Sequence, residues 1–380
     1  MPDSQALAID RRPRRASLVV QTSFLGDVVL TTPLIAELAN RGPVDVVATP
    51  GGASVLANNP EIREIVVYDK RRDLRGMAGL WRTSQRLKAT FRSAAPPELA
   101  DMEPVAYLAQ GSVRSAMLAL LAGFRVRVGF ETSAGRALYT QRVPYRDDQH
   151  HVERLWRLAG SAATTDAVPT ARQLQPLLFP SDRDIETVNT LLARAGYAGE
   201  PLVALAPGSV WATKRWPYYA ALATTVERSG AGRVVLIGGP ADVAVSGAVA
   251  AALPPRRAID GTGKLSPLAS AELIRRARVL VTNDSAPQHF ASAVGTPTVT
   301  IFGPTVPAFG FGPLAPQHAT AGVDALPCRP CDRHGPRRCP LGHWRCMQEL
   351  TVAHVERLLN EVISPPPAAG SPTRPSTPGP

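Results

Sequence analysis

Lysine is nearly missing from this chain. Of its 42 basic residues only Lys70, Lys88, Lys214 and Lys264 are lysines, and the rest are arginine. Cysteine is missing from the first 327 residues; all four lie between Cys328 and Cys346, which is not how a secreted disulfide scaffold distributes them. Apolar runs such as Ala116–Phe124 fall far short of the ~20 residues that a membrane span needs. No G-x-G-x-x-G follows the first strand-like run, which disfavours a dinucleotide enzyme. The segment Arg11-Arg12-Pro13-Arg14-Arg15 imitates a twin-arginine signal. Gln21 and Asp27 interrupt the apolar stretch behind it, and no small-residue cleavage site follows. A cytosolic chain is expected.

What is present is ample core material. The 380 residues are 44% hydrophobic and 19% charged, enough for two ordinary domains. A net charge of +11 asks for an anionic partner: nucleic acid, a phosphorylated metabolite or an acidic membrane surface. Short β-branched runs alternate with amphipathic stretches. Strands are expected at Ser17–Gln21, Val44–Ala48, Glu64–Tyr68 and Val105–Ala109, with helices at Thr32–Asn40, Leu80–Phe91 and Val113–Leu121. The series then restarts. Strands are expected at Leu202–Ala206, Arg233–Ile237, Ala258–Ile259, Val279–Thr282 and Thr298–Phe302, and helices at Tyr218–Arg228, Val243–Ala252, Ala269–Ala277 and Gln288–Val294. This predicts an α/β chain with two Rossmann-like domains, residues 17–180 and 181–363, each a parallel sheet covered by helices. Residues 1–16 read as a basic tail and 364–380 as a Pro-rich tail.

In such sheets ligands sit at the carboxyl ends of the strands, so the strand-to-helix loops carry the candidates. Asp27 follows the first strand, where a helix begins, and reads either as an N-cap or as a general base. Ala206–Pro217 opens the second half. Gly208 and Ser209 allow close backbone approach to a phosphate, and Lys214 adds a point charge. Lys264 falls in another loop of the same half, as a second cation or a plain surface lysine. Thr282–His289 ends a strand and opens a helix, so N–H groups around Ser285 and Ala286 make an anion site; His289 lies one turn further in, as an anion contact or a structural histidine. Gly303-Pro304-Thr305 could line the same cleft.

The cysteines are spaced C-x2-C-x7-C-x6-C. Cys328, Cys331, Cys339 and Cys346 fit a closed all-thiolate structural zinc site, with disulfides and free thiols as the alternatives. Arg329, Arg333, Arg337, Arg338 and Arg345 surround them, yet no RRM, KH or helix-turn-helix pattern accompanies this charge. Nucleic acid is not an expected partner.

Taken in order, several motifs resemble glycosyltransferase family 9, the lipopolysaccharide heptosyltransferases. They are Gly26–Pro33, Gln110–Ser115, Gly129-Phe130, His151–Arg154, Ala206–Pro217, Asn283–Ser285 with His289, Phe302–Thr305, and Cys328–Cys331 with Cys339–His343. General resemblance leans towards the second-heptose enzymes. The resemblance implies a GT-B fold, two Rossmann-like domains facing a cleft, with a C-terminal helix returning to the first. It implies inverting transfer of heptose from ADP-heptose to the Kdo- and heptose-containing lipid A core at the inner leaflet, by a peripheral cytoplasmic enzyme that requires no cofactor for catalysis. Asp27 would be the base, and Ser209, Lys214, Asp284, Ser285, Ala286 and His289 the donor site. Arg71, Arg72, Arg75 and Arg114 are acceptor candidates. The family usually has Gly where this chain has Ala286; a φ > 0 there would cost Ala about 1 kcal/mol. The rival readings are a GT-B transferase or epimerase using another nucleotide sugar, and a non-catalytic nucleotide-binding scaffold.

Overall fold

The computed structural model describes residues 15–69, 77–93, 104–160 and 168–364. The expected tail residues 1–14 and 365–380 lie outside them, as do Arg71, Arg72 and Arg75. In chain order the first half runs β1 (Ser17–Gln21), α1 (Leu25–Leu30), α2 (Thr32–Ala39), β2 (Val44–Ala48), α3 (Pro50–Leu56), β3 (Glu64–Val67), α4 (Met77–Ser93), β4 (Val105–Tyr107), α5 (Val113–Leu121), β5 (Val126–Phe130), β6 (Gln141–Val143) and α6 (His151–Arg157). The second half runs α7 (Asp182–Arg194), β7 (Leu202–Ala206), α8 (Tyr219–Ser229), β8 (Arg233–Leu236), α9 (Val243–Ala251), β9 (Ile259–Asp260), α10 (Pro267–Arg276), β10 (Val279–Asn283), α11 (Ala286–Val294), β11 (Thr298–Ile301), β12 (His318–Ala321), α12 (Arg345–Gln348) and α13 (Val352–Ile363).

Each half forms one six-stranded sheet, β3-β2-β1-β4-β5-β6 and β12-β11-β10-β7-β8-β9. Every pair in both is parallel. The first strand of each half thus pairs with both the second and the fourth, so the order reverses beside β1 and beside β7. At that switch point the loops diverge to opposite faces and leave a crevice. β1, β2, β7 and β10 are buried along their whole length. A strand covered on both faces has no polar side to show, which is why these runs are mostly apolar or β-branched, with Ser17, Gln21, Asp45 and Asn283 as the buried polar exceptions.

The two halves meet through helices. α1 packs on α11 and α3 on α10, within one apolar cluster that includes Val28, Val29, Leu273 and Phe290. The connection passes along the first half, where Leu177 N–H donates to Thr32 Oγ1 at 3.0 Å. It then enters α7 through a Ser181–Asp184 capping box. One implied feature is corrected. α13 packs on β10, β11, β12 and α8 of the second half. Its apolar stripe of Val355, Leu359 and Val362 is buried in that half's core beside Met347 and Leu350. No helix among the described residues is long and apolar enough to cross a membrane.

Candidate functional site

The loops after β1, β7 and β10 converge at the facing switch points, and Asp27 is the first group they deliver. α1 starts one residue after Phe24, whose φ −70° and ψ 160° make it the N-cap. Asp27 is therefore in the first turn, not at the cap, and the capping reading of its position is corrected. Its Oδ2 accepts from Ser23 Oγ at 2.6 Å; its Oδ1 stands 4.0 Å from His151 Nε2. Burial raises the Asp27 pKa above the ordinary carboxylate value, while the Ser23 hydroxyl, the Phe24 backbone, His334 and Lys214 pull against that rise. A carboxyl group so balanced accepts a proton more readily than an exposed one.

The opposite wall belongs to the second half. Lys214 Nζ donates to Asp284 Oδ2 at 2.7 Å. Thr305 Oγ1 donates to the same oxygen at 2.7 Å, and Gln288 Nε2 to Oδ1 at 3.0 Å. With both oxygens engaged, Asp284 orients the ammonium and holds its charge in a buried place. Asn283 ties the two loops together. Its side-chain nitrogen donates to Pro207 O and Gly208 O, and its oxygen accepts from Trp216 N–H and the Tyr219 hydroxyl. Ser285 is the N-cap of α11 but its side chain caps nothing; Gln288 N–H turns back to Ser285 O at 3.2 Å and Pro287 has no N–H, which leaves the Ala286 N–H outside the helix's own bonding. Ala286 is the first helical residue and is not among the positive-φ residues. The exchange of Gly for Ala carries no backbone strain here.

His289 is buried, and desolvation lowers its pKa to about 3, against the pull of Asp284. It is neutral at pH 7 and as an anion contact can offer an N–H but no charge.

These groups line one cleft of about 220 Å³: Phe24, Leu25, Gly26 and Asp27 from the first half; Ser209, Val210, Trp211, Lys214, Asp284, Ser285, Ala286 and His289 from the second; and Thr305, Val306, Phe309, Phe311, Arg333 and His334 closing it. The last group was largely missed from sequence. The sequence connects only Thr305 with the cleft, and sets Arg333 among the arginines around the cysteines. Its guanidinium pairs with Asp147 of the first half and lies 5.4 Å from the Tyr145 ring. The fully buried Arg154 crosses the same way, donating to Tyr145 OH, Asp147 O and Phe309 O. His151 N–H donates to Gly310 O at 2.7 Å, and His150 Nε2 to Gly312 O at 3.1 Å. Gly310, at φ +89°, must be glycine twice over, since a β-carbon would also meet Gln149 O at 2.7 Å.

Other candidates lie elsewhere. Lys264 is exposed and folds back on Asp260 O at 2.8 Å. It follows β9, the sheet edge two strands from β7, and does not line the cleft. Arg114 is exposed on the first turn of α5 and also lies outside the cleft lining. Among the described residues no three His, Cys, Asp or Glu side chains assemble as metal ligands, and all four cysteines are free thiols. Cys339 is nonetheless distinctive: burial would raise its pKa, but the backbone N–H groups of Trp344, Leu341, His343 and Gly342 outweigh that and lower it. The segment also packs on the cleft floor, with Thr213 Oγ1 donating to Pro336 O and Cys331 N–H to Pro304 O.

The comparisons with known proteins agree with this arrangement. Residues 104–343 match the model of glycosyltransferase family 9 (heptosyltransferase). Lipopolysaccharide heptosyltransferase 1 of Pseudomonas aeruginosa is 29% identical over 329 residues, 83% of this chain and 85% of that one. Lipooligosaccharide heptosyltransferase 2 of Haemophilus influenzae is 26% identical over 366 residues, 91% of this chain and 99% of that one. Among solved structures, the Escherichia coli ADP-heptose LPS heptosyltransferase II superposes with a TM-score of 0.72 at 23% identity, covering 92% of this chain and 98% of that one. The fold is thus GT-B, and the chain belongs to glycosyltransferase family 9, the heptosyltransferases.

Proposed function

We propose that this enzyme transfers heptose from ADP-heptose to the lipid A-core glycolipid with inversion at the anomeric carbon. One observation carries the reading: Asp27 stands on one wall of the cleft, and Lys214 with the α11 N-terminus stands on the other. In-line displacement needs that opposition. The acceptor hydroxyl forms its bond to the anomeric carbon as the bond to the β-phosphate oxygen breaks. Asp27 takes the hydroxyl proton. Lys214, Ser209, the N–H groups at Ser285 and Ala286, and a neutral His289 receive the charge that grows on the departing ADP. Asp284 acts through Lys214. No part of this step calls on a cofactor.

The acceptor and place of work follow from charge. An Arg-rich chain of net charge +11 suits a phosphorylated, carboxylated glycolipid at the inner leaflet, met by a peripheral cytoplasmic enzyme. Arg333 and His334 at the cleft mouth join Arg114 and the undescribed Arg71, Arg72 and Arg75 as acceptor contacts. The cysteine segment is structural. Its all-thiolate donor set suits zinc, and Cys331, Cys339 and Cys328 are close enough to help raise the Cys346 pKa, chiefly raised by burial, to about 11. Binding would require the thiols to draw together. The test of function is mass spectrometry of defined truncated cores after incubation with ADP-heptose. One added heptose with equimolar ADP supports the reading, and an unchanged acceptor contradicts it.

A further inference from the structure

The Asp27 carboxyl group is held by the Ser23 hydroxyl and the Phe24 backbone. Ser23 Oγ donates to Oδ2, whereas Oδ1 faces His151 Nε2 at 4.0 Å. That distance is an approach and not yet a hydrogen bond. His151 is fixed from the other half of the molecule: its backbone N–H is bonded to Gly310 O, and its ring centroid lies 4.7 Å from that of Phe311. A residue of the first half is thus set in place by the second, opposite Oδ1 of Asp27. His151 Nδ1 is buried and finds no hydrogen-bond partner among the described residues. Such an imidazole keeps its proton on Nε2, beside the carboxylate, because a buried N–H left unpaired is rarer and costlier than an unpaired acceptor.

We propose that His151 is a positioning residue for Asp27: its Nε2–H closes on Oδ1 in the substrate-bound state and aims that oxygen at the acceptor hydroxyl. The proposal rests on the reading of Asp27 as the base. Catalytic hydrogen bonds that are long without substrate commonly tighten with it. The charged and titratable groups around the pair favour a neutral donor. Burial first, then Arg154 of α6 and its N-cap His150, His289 of α11 and Arg333 of the cysteine segment, bring the His151 pKa down to about 3. His334 and Lys214 complete the set facing Asp27. A neutral imidazole steadies the carboxylate without discharging it, so Asp27 can still accept a proton.

The test compares His151→Phe, which keeps a ring against Phe311 but loses the donor, with His151→Gln, which restores an N–H. A carboxylate that loses a donor has a higher pKa. The acidic limb of kcat for ADP release from ADP-heptose and truncated core, which reports the substrate-bound enzyme, should therefore move up by about one pH unit in His151→Phe. It should return towards the wild-type position in His151→Gln, with ADP affinity in both within about two-fold of wild type. A wild-type limb in His151→Phe, or equal displacement in both variants, overturns the proposal. Should His151→Phe not fold, His151→Leu takes its place in the same comparison. Asp27→Asn separates the failures: if it still transfers heptose, the base reading has failed; if it is inactive while His151→Phe has the wild-type profile, only this inference has.

Discussion

Gly26 and His289 touch across the cleft: a β-carbon added to Gly26 would stand 2.7 Å from His289 Cδ2. The contact lies where α1 meets α11, so one hydrogen atom's width sets how closely the base approaches the donor wall. Gly26→Ala should cost about 1–3 kcal/mol of stability through overpacking and reduce turnover at the same time. Adding His289→Ala should recover the stability but not the activity. A double-mutant cycle from denaturant unfolding checks this; additive losses would mean that the two residues do not limit each other.

Lys214 and Asp284 form a buried pair, so removing either alone leaves an uncompensated charge. Lys214→Met should lose about 2–3 kcal/mol in kcat/KM and also destabilise the fold by about 3–5 kcal/mol. Lys214→Met with Asp284→Asn should regain the stability while ADP affinity stays low. Calorimetric ADP titration beside thermal melts separates the two effects. Wild-type ADP binding in the double variant would remove Lys214 from the phosphate site.

Three histidines at the meeting of the two halves give the fold an acid limit. Burial lowers His150 to about 4, and His151 and His289 to about 3, against about 6.5 when unfolded. Between these values the unfolded chain binds more protons than the native one, so stability rises with pH and is lost as pH falls below about 6.5. Each histidine contributes a slope of at most about 1.4 kcal/mol per pH unit. Asp27, with its raised pKa, acts in the opposite direction. Melting temperatures between about pH 7 and 5 should fall, less steeply in His151→Phe. A flat profile would show these histidines to be solvated.

How much of this was legible beforehand depends on range. β1, β2 and β7 stood in the sequence to the residue, because strands buried on both faces read as short, dominantly apolar and β-branched runs. Asp27, Ser209, Lys214, Asp284, Ser285, Ala286 and His289 were legible because each lies in a strand-to-helix loop or in the first turn of the helix that follows. The start of a helix near Asp27 was legible, but the bounds of α1 were not, since six residues are too few for helical periodicity to register. Lys264 misled because loop chemistry says nothing of strand order, and β9 lies at the edge. Phe311 and Arg333 come from distant parts of the chain, and nothing local marks which pieces a cleft brings together; His151 stood in one of the family-like motifs without a role.

The cysteine segment yields a metal measurement. Elemental analysis of protein purified without added metal should find about one equivalent of zinc, as four thiolates bind one ion. Less than about a tenth of an equivalent would leave four free thiols and a segment held by its backbone contacts alone. Either way chelator should leave transfer intact while the fold persists, because the thiols stand outside the cleft lining.

The central claim is that Asp27 removes the acceptor proton, and Asp27→Asn tests it. Phe24 is the N-cap and an Asn oxygen can still accept from Ser23, so melting should change little. Lys214 and the α11 N-terminus are untouched, so ADP should bind as before. Asn takes no proton, and heptose transfer, read as ADP release with truncated core as acceptor, should fall about 10²–10⁴-fold. A folded, ADP-binding Asp27→Asn enzyme that transfers heptose at the wild-type rate would contradict the account.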